Sequence, residues 1–307
     1  MTIRRHCVTN EPLKTHNMSS NLEKDYSIPG IDSLLPKTGP ISKAMLESVL
    51  RPLLGKEALA YSNSIFNAQI PGETGFDAAE RMFKASGLNL VVSDEDRRKI
   101  PETGRVLIAG NHPNGIAEMG VFGMLAGIRQ DVKIVLMALL ADILHVTDET
   151  GIRTPTVVKN GQGLSGKGEI RDKITQSLER EEAVLMFPPG EMPTPTSPFK
   201  PREHLIEKPW KSGFIHAAEQ TESPIIPVAA SPIHSDLFYS LRYRPFGEIG
   251  QIISLLRMFR EFKQYQGKDY PIKVGDPIYP DELKTLGETP REKAATIRDR
   301  VIAMAQQ

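Results

Sequence analysis

An α/β fold is what this sequence predicts: a central mixed, mostly parallel sheet with helices on both faces and a short N-terminal helical region. Three observations carry that expectation. The runs RVLIAG (105–110), AVLMFP (183–188) and PIIPVAAS (224–231) are continuous and apolar, as strands buried on both faces are. Stretches of helical periodicity stand between them, and strand–helix alternation is the pattern of a parallel sheet. The 307 residues are also enough for one large core.

Residues 1–40 are polar and broken by Pro12, Pro29, Gly30, Pro36, Gly39 and Pro40, so they read as a loosely ordered leader. Residues 41–307 read as a single domain. In it, 41–68 predicts two short helices around Pro52 and Gly55. Residues 73–87 form an amphipathic helix ending at Gly87, and LNLVVS (88–93) is a strand. After RVLIAG come a helix over 116–129, a strand running into a helix over 133–140 (KIVLMALL), and a short strand TPTVVK at 154–159. A clear amphipathic helix spans 167–181, before AVLMFP, and a helix over 212–221 precedes PIIPVAAS, where Pro227 breaks the strand. A helix over 248–264, a strand near YPIKVG (270–275) and a helix over 290–305 complete the reading. Residues 192–209 hold five prolines and read as a long exposed loop, a feature that is often functional.

Lys plus Arg and Asp plus Glu number 38 each, which argues against a general nucleic-acid binder. Cys7 is the one cysteine, so neither a disulfide framework nor a Cys-rich metal site can be built within the chain. The N-terminus has no apolar targeting core. No apolar stretch approaches the ~20 residues that a spanning helix needs. The expectation is a cytoplasmic protein that lies on a membrane, at its inner face, without crossing it.

The sharpest local feature is GNHPNGIAEMG (110–120), which follows a buried strand and opens a helix. In open α/β sheets, sites gather at this carboxyl end of the strands. His112 stands there, Asn114 or Gly115 can cap the helix, and Glu118 falls in its first turn. A carboxylate on one ring nitrogen fixes the imidazole tautomer and stabilises the imidazolium formed when the other nitrogen takes a proton. That is general-base equipment for activating a hydroxyl or an amine. A first-turn glutamate is equally favoured by the helix dipole alone, and a loop histidine can simply cap a carbonyl. FPPGEMP (187–193) again follows a buried strand, and its turn offers backbone N–H groups and Glu191 to a ligand.

Taken in order, strand–NHP with a following acid, strand–FPxGE and IIPV resemble the lysophospholipid (glycerolipid, PlsC-like) acyltransferase family. IPETGRVLIAGNHPNG is similar to the approach to its first motif, PWKSGFIHAAEQTESPIIPVAA to its helix leading into the last core strand, and KVGDPI to its penultimate-strand signature. The resemblance spans roughly residues 80–280. It implies transfer of a fatty acyl group from acyl-carrier protein or coenzyme A to a lysolipid hydroxyl. His112 would be the base and Glu118 would orient it. Asn111 of the same motif, and Phe187, Pro188, Gly190 and Glu191 of the turn, would bind the substrate. Backbone N–H groups near Gly190 or at the start of the helix after Gly115 would face the oxyanion. A middle motif near TPTVVKNGQG makes Lys159 and Asn160 head-group candidates. No cofactor beyond the acyl donor, and no metal, is implied.

This chain departs from the family pattern in two places. Position 117, where the family carries Asp, is Ala, and the acid is Glu118. Pro189 and Met192 replace the Glu and Arg of FPEGTRS. These variants look like the hemolysin-like subgroup, with NHP-x-G and FPxGE motifs, so the resemblance implies acyl transfer without naming a particular acceptor, and the lost Arg argues against a phosphate-bearing one. Two alternatives stay open: a non-catalytic lipid-binding protein on the same fold, and acyl transfer to an amine-bearing lipid.

EIGQIISLLRMFREFK (248–263) carries an apolar stripe punctuated by Arg257, Arg260 and Lys263. It fits either an interfacial helix or a core-packing one, and Tyr239, Arg242, Tyr243, Arg244 and Phe246 tilt it toward the interface. His145, His204, His216 and His234 lack metal-ligand spacing. KNGQGLSGKGE (159–169) does not meet the phosphate-loop pattern, and no G-x-S-x-G elbow exists.

Overall fold

A computed structural model describes residues 83–138, 146–154, 167–231, 234–243 and 260–306, together with residues 57, 60, 61, 64, 65, 81, 141, 257 and 258. The leader and most of the 41–68 and 73–87 helical expectations lie outside the described residues, although Tyr61, Ile65 and Phe83 are helical.

In chain order the elements are β1 (Asn89–Val91), α1 (Asp94–Arg98), β2 (Val106–Gly110), α2 (Ile116–Ala126), β3 (Val132–Met137), β4 (Gly151–Thr154), α3 (Lys167–Glu179) and β5 (Ala183–Met186). Then follow β6 (Thr194–Pro195), a 3₁₀ turn (Pro201–His204), β7 (Leu205–Ile206), α4 (Gly213–Thr221), β8 (Ile225–Ala230), α5 (Asp236–Leu241), β9 (Asp269–Val274), α6 (Pro280–Thr285) and α7 (Pro290–Ala305). Seven strands form one sheet in the order β1-β9-β8-β2-β5-β3-β4. Only the β8–β9 pair is antiparallel, so the sheet is mixed and mostly parallel, as the apolar runs predict.

The two faces of the sheet are both dry. Along β2, Val106 and Ile108 join the cluster with Val121, Phe122 and Leu125 of α2. Leu107 and Ala109 face Leu178 of α3, Phe214 and Ala218 of α4 and Ile297 of α7. This is the period-two alternation of a strand with apolar residues in both phases, which is why β2 reads as an unbroken run. The helices are started by local chemistry. Thr289 accepts the Glu292 N–H at 3.2 Å, and the Glu292 carboxylate accepts the Thr289 N–H at 3.0 Å. That capping box, with Pro290 in the first turn, fixes the start of α7. Its buried Ala294, Ile297 and Val301 then recur on one helical face.

Several sequence expectations are corrected. Pro227 does not break β8, which runs through it from Ile225 to Ala230. Its pairing with β9 starts only at Val228–Val274, and at the next position Gly275 N–H donates to the Pro227 carbonyl at 2.8 Å. The N–H that proline lacks is therefore the one lost at the fraying end of β9. Of the strand expected at 154–159 only Thr154 is described, as the last residue of β4, which pairs with β3; the rest of that expectation lies outside the described residues. The proline-rich 192–209 segment is folded, with β6 and β7 forming a short antiparallel pair closed by the 3₁₀ turn. Helices α1, α5 and α6 are too short for periodicity to reveal.

What matters for function is an edge. β2 runs parallel to both β5 and β8, with Ala109 beside Met186 and Gly110 beside Val228. The NHP loop, the FPPG turn and the segment after Ala230 therefore all leave the sheet on the same side.

Candidate active site

The sheet ends at Gly110, and the chain turns through 111–115 into α2. Gly115 is the N-cap of α2 with φ +88°, and no side chain caps the helix. A side chain at that φ is strained, so glycine there sets the angle at which α2 departs. Gly110 has a different reason. A Cβ built on it would stand 3.0 Å from the Phe187 ring. Its absence lets Phe187 cross the strand end and meet His112, with ring centroids 5.8 Å apart.

His112 and Glu118 are brought together: Nδ1 lies 2.7 Å from Glu118 Oε1. The side chains are 24% and 7% exposed respectively. With Nδ1–H donated to the carboxylate, Nε2 is left as the basic nitrogen. The sixth-residue spacing works because the loop leaves Gly115 sharply and Glu118 points back from the first turn. The second carboxylate oxygen, Oε2, is buried with no hydrogen-bond partner. A small pocket beside the pair is lined by Asn111, Pro113, Glu118, Val121, Phe187 and Ala230, among others.

Asn111 is placed at this site but is committed elsewhere. Its Nδ2 donates to the Ala230 carbonyl at 2.6 Å, and its Oδ1 accepts the Ala230 N–H at 2.9 Å. It thus pins the loop to the end of β8. Asn114 is not the helix cap. Its amide donates to the Tyr270 hydroxyl at 2.7 Å, and that hydroxyl donates in turn to the Ser231 carbonyl. Burial first, then the Glu118 charge, hold the Tyr270 phenol well above its usual range, so it stays a donor. Phe187 lies against His112 as described. Pro188 is buried, and its carbonyl accepts the Lys211 N–H at 3.3 Å. Gly190 is exposed, and its N–H closes the turn onto the Phe187 carbonyl at 2.9 Å. That N–H is occupied, which leaves the uncapped start of α2 as the better source of free donors. Glu191 is on the exposed rim, 3.8 Å from Lys208. Lys159 and Asn160 lie outside the described residues.

The structure adds residues that local sequence patterns do not flag. His234 is fully buried, stacks on Phe238 at 3.8 Å and donates from Nε2 to the Asn114 carbonyl at 3.3 Å. Its place just past the end of a core strand is the one signal in the sequence. Glu207 sits beside Trp210 and the His112 backbone. Burial raises its pKa, opposed by Trp210 and by the His112 N–H, and its Oε1 is buried without a partner. Among the described residues no group of three His, Cys, Asp or Glu could hold a metal ion.

Burial lowers the His234 pKa from 6.5 to about 3. The unfolded chain therefore takes a proton below pH 6.5 that the folded protein refuses, and stability falls as pH drops through that window. At pH 5 this one group should cost about 2 kcal/mol relative to neutrality. Denaturant titrations at pH 7 and pH 5 check this: His234→Asn should lose that much less stability than the parent, and equal losses would refute it.

The arrangement at this edge is a strand-end histidine with one ring nitrogen on a buried carboxylate, which is chemically able to take a proton from a hydroxyl or amine. Residues 91–231 match the family model described as Acyltransferase. Over 271 residues the chain is 22% identical to a lyso-glycine lipid O-acyltransferase of Bacteroides thetaiotaomicron, covering 88% of this chain and 94% of the relative. Among solved structures it is similar to the 1-acyl-sn-glycerophosphate (LPA) acyltransferase PlsC from Thermotoga maritima, with TM-score 0.46, 14% identity and 85% of each chain covered. The match over residues 91–231 supports an acyltransferase enzyme.

Proposed function

We propose that the protein moves a fatty acyl group from an acyl thioester, acyl-CoA or acyl-carrier protein, to the hydroxyl of a lysolipid, with His112 as general base. The observation that carries this is the 2.7 Å contact of His112 Nδ1 with Glu118. The 22% identical relative, named for O-acylation of a lyso-glycine lipid, supports a hydroxyl acceptor over an amine.

The acceptor oxygen attacks the thioester carbonyl while His112 Nε2 takes its proton. Glu118 holds the ring and stabilises the imidazolium. The tetrahedral oxyanion lies toward the N–H groups opening α2. As the C–S bond breaks, the imidazolium returns its proton to the departing thiolate, giving ester and free thiol. No covalent enzyme intermediate is required. The test is product analysis with each donor and a panel of lysolipids and amino-lipids. An ester on a lysolipid hydroxyl is expected, and an amide on an amino-lipid would overturn the reading.

Contact with the inner membrane face belongs to the same reading. No helix among the described residues is long and apolar enough to cross a membrane. The helix over 248–264 is described only from 257 onward, and there it packs inward. Phe262 is in the core, and Arg257 is paired at 3.0 Å with buried Glu261. Tyr239 is fully buried too, so it cannot be interfacial. Better support comes from Phe199, Ile206 and Leu237, which are exposed at 81%, 54% and 51%. They lie on the β6–β7 segment and α5, which are joined by Arg202–Asp236 and by Ser240 to the Pro198 carbonyl. Large apolar side chains beside Lys200 and Arg202 suit an anionic lipid surface. The protein should float with anionic liposomes at low salt, and Phe199→Asp with Leu237→Asp should leave it in the pellet fraction. Unchanged flotation of that double variant would remove the patch from the account.

A further inference from the structure

The inward face of α5 carries one group that the acyl-transfer chemistry does not use. Phe238 and Tyr239 are fully buried. Phe238 stacks on His234, which holds the Asn114 carbonyl, and the Tyr239 hydroxyl lies 3.5 Å from the Pro113 carbonyl. Arg242 caps α5 at positions i+4 and i+3 from these two, so it shares their face. It is half-buried, with its Cζ 6.0 Å from the Phe238 ring centroid.

No hydrogen bond or ion pair to the Arg242 side chain is found among the described residues, and its Nε is buried without an acceptor. Other described arginines are paired. Arg202 holds Asp236, Arg257 holds Glu261 and Arg129 holds Asp131. Arg242 feels Glu191, at the end of the FPPG turn, only through space, and burial pulls its pKa down. A guanidinium withdrawn from water without an anion is costly. Its planar fork suits a carboxylate or phosphate that arrives from outside. A second cation, Lys211, reaches over the same turn: a Cβ on Gly190 would stand 2.8 Å from its Nζ.

We infer that Arg242 is the binding residue for an acidic head group, a carboxylate or a phosphate, on the lysolipid acceptor. The inference rests on the acceptor reading above, and the head group would lie between the NHP loop and the FPPG turn while the hydroxyl meets His112. The acceptor class is then narrower than lysolipids in general, because neutral ones leave Arg242 unpaired.

The test is calorimetric binding of three short-chain, water-soluble ligands: an N-acyl glycine (carboxylate), a lysophosphatidic acid (phosphate) and a monoacylglycerol (neutral). The hosts are His112→Ala, titrated without acyl donor so that nothing turns over, and the same protein carrying Arg242→Gln or Arg242→Lys. Arg242→Gln should weaken one anionic ligand about ten- to a hundredfold and the neutral one less than about twofold, and the ligand affected names the head group. Arg242→Lys, which keeps the charge but not the fork, should fall between and guards against a folding defect in the first variant. Equal weakening of the neutral ligand, no change for either anion, or no binding of any anion would overturn the inference. Because the readout is binding, absence of thiol release by the parent protein would refute acyl transfer while leaving this result intact.

Discussion

His112→Ala should lower the rate of acyl transfer by about 10²–10⁴-fold, the usual contribution of a positioned general base, with little change in acceptor affinity. His112 Nε2 is the basic nitrogen left at the strand end once Nδ1 meets Glu118, and the other histidine whose contacts place it here is His234. His234 is buried, held neutral and already bonded to a carbonyl. The folded state should survive. The side chain is partly exposed and makes one side-chain hydrogen bond, to Glu118. Its removal leaves a buried carboxylate oxygen unpaired, at a cost of about 1–3 kcal/mol. Single-turnover rates beside a thermal melt check both parts. A variant that melts normally and still transfers acyl groups within about tenfold of the parent would remove His112 from the base role.

Glu118→Gln should separate rate from stability in opposite directions. The glutamine amide can present either its oxygen or its nitrogen to Nδ1, and only the first keeps Nε2 basic. It also lacks the charge that stabilises the imidazolium. A loss of about 10²-fold in kcat is expected, less than the ~10⁴ seen where the wrong tautomer is locked in. Meanwhile Glu118 Oε2 is buried with no partner, so the carboxylate is held at a cost to folding. The Gln variant should therefore be as stable as the parent or more so, the usual trade between stability and activity. If Glu118 served only the α2 dipole, the outcome would reverse: a stability loss of about 0.3–1 kcal/mol and an unchanged rate.

How much of the fold and site is legible in the sequence follows from how local each signal is. The core strands are plain because β2, β5 and β8 are buried on both faces, so no polar phase interrupts their apolar runs. His112 with Glu118 is legible because both lie within one strand–loop–helix turn, where geometry follows from chain direction. The FPPG turn falls at the same edge once β2 and β5 are taken as parallel neighbours. Tyr270, which holds Asn114 from 156 residues away, leaves no local trace, because its partner is fixed by sheet order. Arg242 reads in the sequence only as a cation near an apolar stripe. Its meaning comes from the face of a six-residue helix that periodicity cannot detect. The β6–β7 pair is hidden by its prolines, which remove ladder donors and make a folded strap resemble a loop.

Acceptor-dependent thiol release is the first measurement to make, with purified protein, long-chain acyl-CoA or acyl-carrier protein, and lysolipids, beside His112→Ala. Thiol released only when a lysolipid is present, and lost in the variant, is the expected result. Release that persists in His112→Ala, or no release from any donor with any lysolipid, would contradict a His112-based lipid O-acyltransferase.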